Sequence, residues 1–194
     1  MTTAPRRYLG IDFEYGNNTK GSICAYGLAF EDGTQEHGFV KLPSIAPRQE
    51  HTRFHGITQE QADGGMEFSQ LYARIAGLLA EAQADGVELI LVAHDITSDR
   101  RAWQAAQLIH GLEALHLSWL NSLPIAYAEL GIKKGQGKAG VATMAERYGI
   151  PINHHNPADD ALIALQVVLR NPLSKNLVKD NQPAQRVKEI RTHG

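Results

Sequence analysis

A single cysteine, Cys24, among 194 residues leaves no disulfide to close within the chain, and a reducing interior is its natural setting. The first seven residues lack the apolar core of a signal segment. The apolar run over residues 89–93 falls far short of the roughly 20 residues that span a bilayer. These absences predict a cytoplasmic protein with no membrane partner. A net charge of −2 removes the broad positive field of many nucleic-acid binders, so a polyanion would be met by local basic patches and bound cations. There is no internal repeat and no low-complexity segment. What remains is an ordinary globular balance, 43% hydrophobic and 21% charged, in a length that suits one domain with a substantial core.

Near the start, Leu9, Ile11 and Phe13 alternate with Gly10, Asp12 and Glu14, the period of a strand with one apolar face and two carboxylates on the other. Strand residues two apart lie roughly 6.6 Å apart, close enough for both acids to converge on one hard cation or a pair. Taken alone, such a pair is more often a solvated edge strand. A metal-binding role needs further acids from elsewhere in the chain.

Residues 15–21 form a polar, glycine-bearing loop. Residues 23–30 and 38–42, around the Glu31-Asp32-Gly33 turn, predict a hairpin, giving three consecutive antiparallel strands. Residues 43–58 read as irregular. Within them His51 and His55 stand four apart, but Pro47, Gly56 and the lack of a glutamate beside His51 argue against a zinc helix. Phe68, Leu71, Tyr72, Ile75, Leu78, Leu79 and Ala82 mark an amphipathic helix closed by Asp85-Gly86. The nearly unbroken apolar run over 87–93 fits a strand covered on both faces. It leads into a helix marked by Ala102, Trp103, Ala106 and Ile109, with Thr97 or Ser98 as its cap. Asp99 thus sits in a first helical turn just beyond a central strand, where open sheets place ligands, although an acid there also complements the helix dipole.

Residues 117–121 predict a short strand, 123–130 a helix and 141–148 another, ended by Gly149. Between the two helices Lys133, Lys134 and Lys138 lie in a glycine-rich segment that suits a solvated loop as well as a phosphate contact. It is not a Walker loop, because Ala139 stands where a hydroxyl would bind magnesium. Asn156 caps and Pro157 opens the last helix, whose buried face is Ala158, Ala161, Leu162, Leu165, Val168 and Leu169. Asp159 and Asp160 fall in its first turn. His155 stands immediately outside it. The pattern stops at residue 172, so the organisation is a domain over 1–171 and a basic tail over 172–194, carrying Lys175, Lys179, Arg186, Lys188 and Arg191 and room for a short helix.

Four segments together carry a resemblance: Asp12-Phe13-Glu14, Phe54-His55-Gly56-Ile57-Thr58, Ala93-His94-Asp95-Ile96-Thr97-Ser98-Asp99, and His155-Asn156-Pro157-Ala158-Asp159-Asp160-Ala161. In this order and spacing the chain resembles the DnaQ-like, or DEDDh, 3′–5′ exonucleases, the family of ribonuclease T and the epsilon proofreading subunit of DNA polymerase III. The resemblance implies a ribonuclease H-like α/β fold, a central mixed sheet of three antiparallel strands followed by parallel strands, flanked by helices. It implies Asp12, Glu14, Asp99 and Asp160 as ligands of two divalent cations, Mg²⁺ or Mn²⁺, and His155 as general base. His154 competes for that last role, but His155 stands five before Asp160. Phe13, Tyr15, His55, Lys133, Lys134 and Lys138 are the expected substrate contacts.

The activity implied is hydrolysis at single-stranded DNA or RNA 3′ ends with release of nucleoside 5′-monophosphates, in company with a polymerase or another replication or repair protein. The family usually has threonine after the first acid pair and asparagine after the histidine of the second motif. Tyr15 and Asp95 stand there instead, which keeps open a binding module with little catalysis. An oligonucleotide phosphodiesterase is the other alternative.

Overall fold

The computed structural model describes residues 5–153 and 155–171. His154 as a competing base and the basic tail over 172–194 lie outside the described residues. Among the described residues five strands and seven helices succeed one another as β1 (Arg6–Tyr15), β2 (Ile23–Phe30), β3 (Gln35–Phe39), α1 (Thr52–His55), α2 (Gln59–Asp63), α3 (Phe68–Ala84), β4 (Glu88–Ala93), α4 (Ile96–Ile109), β5 (Ser118–Asn121), α5 (Leu123–Glu129), α6 (Val141–Tyr148) and α7 (Pro157–Arg170). The strands form one sheet in the order β3-β2-β1-β4-β5. β1 runs antiparallel to β2, as β2 does to β3, and parallel to β4, as β4 does to β5. The mixed sheet expected from the sequence is therefore present. None of the described helices is long and apolar enough to cross a membrane.

Each face of the sheet buries its own apolar cluster. Leu9, Ile11 and Phe13 of β1 and Leu89 and Leu91 of β4 pack under α3 and α4 around Trp103, whose ring stacks on Phe13 at 6.0 Å between centroids. The alternate residues Ile90 and Val92 pack on the other face with Ala161, Ala164 and Leu165 of α7. On that second face glycine sets the spacing. A Cβ on Gly10 would strike the Ala161 carbonyl, and one on Gly27 would strike the backbone of Pro157 and Ala158. Gly27 pairs with Asp12 across the β1–β2 ladder. The bare backbone at both positions lets the first turns of α7 lie directly on the sheet beside the acids of β1.

Several boundaries differ from the sequence reading. β3 is the polar segment Gln35–Phe39, not residues 38–42, and beyond it only Val40 pairs, bridging to Met66. Part of the segment read as irregular coils into α1, and α2 comes directly after it, opened by a Thr58–Gln61 capping box. α4 begins at Ile96, earlier than a Thr97 or Ser98 cap allows, because Asp95 adopts a left-handed backbone (φ 70°) that turns the chain straight from β4 into the helix. Asn156 does cap α7, accepting the Ala158 amide, with Pro157 in the first turn. Its buried face is broader than expected and includes Ile163, Ala164 and Val167, while Leu169 is exposed.

Candidate active site

Because β1 and β4 are parallel, their C-terminal ends open at the same edge of the sheet, and the helices beyond them bring acids there from both faces. Asp12 and Glu14 come from the face of β1 that α7 covers. Asp99 arrives on the first turn of α4 and Asp160 on the first turn of α7, 4% and 6% exposed. His155 precedes the α7 cap in a left-handed conformation, φ 70°, which for a non-glycine residue costs about 1–3 kcal/mol and is characteristic of functional sites. Its Nδ1 lies 3.9 Å from Glu14 Oε1, and ligand atoms of Glu14, His155 and Asp160 all fall within 4.8 Å of one another.

The electrostatics reflect this crowding. Burial pushes the Asp12 carboxyl well above the usual range, and Asp99, Asp160 and Glu14 add to the shift. Burial, then Asp160 and Asp99, raises Glu14 to about 7. Burial raises Asp99 to about 7 as well, against the pull of hydrogen bonds from Tyr15 and Phe13. Acids held above their ordinary values by each other and by burial favour either protons or a cation. Carboxylate oxygens with one imidazole suit a hard divalent ion, and these residues fit the metal centre that the sequence resemblance implies.

Of the expected substrate contacts, His55 faces a cleft of about 240 Å³ that it shares with His155, Phe39, Asn153 and Asn156. Its Nε2–H donates to the Tyr15 carbonyl at 3.2 Å while its Nδ1 accepts the Ile57 amide, and His51 Nδ1 reaches the same carbonyl at 3.1 Å. Burial lowers the His55 pKa. The Phe13 ring corrects the sequence reading. It lies in the core against Trp103, and its contribution to the site is a backbone N–H donated to Asp99 Oδ1 at 3.2 Å. Tyr15 is half-buried and turned toward Asp99, donating its hydroxyl to the same oxygen at 3.1 Å. Burial and the surrounding acids push its pKa upward.

Lys133, Lys134 and Lys138 are exposed in the loop between α5 and α6. The far end of that loop is tied to the end of β4 by His94, which sequence reasoning left without a role: Nε2–H donates to the Ala139 carbonyl at 2.8 Å and Nδ1 meets Ser122 Oγ at 2.8 Å. Its position directly after a buried strand was the available signal. A larger cleft of about 360 Å³, lined by Asn17, Asn18, Ala46, Arg48 and Glu50, contains none of Asp12, Glu14, Asp99 and Asp160.

No protein-family profile and no curated protein sequence matches the chain. Solved structures do. The nuclease domain of 3′hExo, a DEDDh family member, bound to rAMP, is 15% identical and superposes with a TM-score of 0.69 over 93% of this chain and 98% of that one. The cell-death related nuclease CRN-4 is 16% identical, with a TM-score of 0.66 over 90% of this chain and 66% of that one. The 3′-exonuclease seen in 3′-end specific recognition of a histone mRNA stem-loop is 16% identical, with a TM-score of 0.68 over 95% and 89%. At such identities the likeness is one of architecture, and the chain has the ribonuclease H-like fold of the DEDDh exonuclease domains.

Proposed function

We propose that this protein is a metal-dependent 3′–5′ exonuclease acting on single-stranded nucleic acid and releasing nucleoside 5′-monophosphates. The observation that carries the reading is the meeting of four carboxylates and a histidine, from β1, α4 and the start of α7, at one edge of the sheet. Asp12, Glu14, Asp99 and Asp160 would hold two divalent cations, Mg²⁺ or Mn²⁺. When bound, such ions neutralise phosphate charge and acidify an attacking water. Held by the left-handed turn before α7, His155 accepts that water's proton. The bare Gly27 beside Asp12 leaves room for the first turn of α7, which carries Asp160. The cleft flanked by His55 and His155 receives the terminal nucleotide, and the exposed Lys133, Lys134 and Lys138 offer backbone phosphate contacts.

The test is nucleotide release from 3′-labelled single-stranded DNA and RNA with Mg²⁺, Mn²⁺ or chelator, comparing wild type with Asp12→Ala. Metal-dependent 5′-monophosphate from wild type, absent from the mutant, supports the reading, and the faster strand names the substrate. Binding of the strand without release in any metal overturns it in favour of a binding module.

A further inference from the structure

We propose that Tyr15 is a positioning residue for the metal centre, its hydroxyl fixing the rotation of the Asp99 carboxylate so that one oxygen is presented to a divalent cation. The inference rests on the reading of this site as a metal centre. Two donors converge on the same atom: the Tyr15 hydroxyl at 3.1 Å and the Phe13 amide at 3.2 Å both reach Oδ1 of Asp99. Two donors on one oxygen resist rotation of the carboxylate, which would keep its remaining donor capacity turned to an ion. Outer partners of this kind orient ligands elsewhere and change metal affinity by about 10–100-fold when removed.

Tyr15 is itself held at three points, which separates it from an incidental contact. The β1–β2 register shifts between Glu14 and Tyr15, so that Tyr15 pairs with Ile23, and such a bulge re-aims the side chains around it. Its carbonyl accepts hydrogen bonds from the rings of both His51 and His55. The phenol ring packs against the apolar cluster that contains Phe13 and Trp103. Backbone, ring and hydroxyl are each fixed by a different element, and a donor placed this firmly requires little reorganisation to keep its ligand in register. The two histidines thereby gain a purpose without touching an ion: they set the residue that sets Asp99.

Tyr15→Phe preserves the ring and deletes only the hydroxyl. In chelator both proteins should show the same circular dichroism. Calorimetric titration with Mn²⁺ is expected to give a dissociation constant about tenfold weaker for Tyr15→Phe. The Mn²⁺ concentration for half-maximal nucleotide release should rise by the same factor, with the KM for the strand unchanged and the rate recovering at excess Mn²⁺. A general loss of structure would not be rescued in this way. A double-mutant cycle with Asp99→Asn adds a second reading, since deleting the hydroxyl should have no further effect on Mn²⁺ binding once that carboxylate is gone. Mn²⁺ affinity within twofold of wild type in Tyr15→Phe, or additive effects in the cycle, overturns the proposal. A wild-type protein that binds Mn²⁺ through Tyr15 and Asp99 but releases no nucleotide would sustain this inference and retire the exonuclease reading. One that binds no Mn²⁺ would end both.

Discussion

The two faces of β1 solve opposite problems within the same ten residues. Leu9, Ile11 and Phe13 meet α3 and α4 through bulk, with Trp103 flanked by Phe13, Phe68 and Tyr72 at centroid distances of 5.2–6.2 Å. The face of Gly10, Asp12 and Glu14 meets α7 through the lack of bulk at Gly10 and at Gly27 beside Asp12, with helix backbone resting where their side chains would stand. The first face is held by apolar area and can readjust. The second is held by closeness and cannot, and the acids are on it. Stability and chemistry are thus divided by the pleat of one strand, whose side chains alternate between the faces.

The largest effect should come from removing one charge on the close face. Asp12→Asn keeps the shape of the side chain and is expected to lower turnover by ~10³-fold, the scale seen when one member of a preorganised electrostatic site is lost. In chelator the same variant should melt higher than wild type, because it removes a carboxyl that burial, and then Asp99, Asp160 and Glu14, hold well above its ordinary range. A variant that loses both activity and thermal stability would contradict the division. Next in size is Gly27→Ala. The added methyl meets backbone of Pro157 and Ala158, which has no rotamer to retreat into, so the expected loss is about 3 kcal/mol by denaturant unfolding. Activity should fall beyond what unfolding explains, since moving α7 moves both Asp160 and His155.

The sequence carried this division only in part. The alternation over residues 9–14 marked the two faces, and the Asn156-Pro157 cap placed Asp160 in a first turn, because both are local patterns that a fixed period or a hydrogen-bonding side chain imposes. Gly10 was visible as part of the alternation, but the role of Gly27 was not, since a glycine in an apolar strand has no local sign of the helix lying over it. The edge strand β3 was misplaced because its residues, Gln35 to Phe39, are polar and the apolar signal lay just beyond them. The start of α4 was misread because the Asp95 turn forms no side-chain cap and leaves no capping signature. Phe13 and Tyr15, neighbours of the acids in sequence, were expected to face the substrate. One is in the core and the other turned to Asp99, which depends on a strand register and a bulge that only the paired strands define.

A smaller, opposite-signed effect distinguishes the close face by pH. Glu14 and Asp99 are raised to about 7, so between pH ~4 and ~7 the metal-free folded protein binds protons that the unfolded chain has released. Where the folded state holds more protons, stability falls as pH rises. The metal-free melting temperature should therefore decline by several degrees across that window. Saturating Mn²⁺ should abolish or reverse the decline, because ligation requires the ionised carboxylates. A flat metal-free profile would mean that the acids of the close face do not share one site.

The smallest effect belongs to the other face, and it tests whether the faces are independent. Ile11 lies between Gly10 and Asp12 in the strand but points the other way, 1% exposed beneath α3 and α4. Ile11→Val removes one methyl from that cluster and should cost about 1 kcal/mol, or a melting temperature lower by about 2–4 °C for a chain of this size. Turnover and Mn²⁺ affinity should be unchanged, because the void opens among apolar side chains that can close around it, and the backbone that carries Asp12 is fixed by its ladder to β2. If the same substitution lowered turnover by more than its small effect on the folded population, the backbone of β1 would be passing strain from one face to the other. The acids would then owe their placement to the Trp103 cluster as much as to the two glycines under α7.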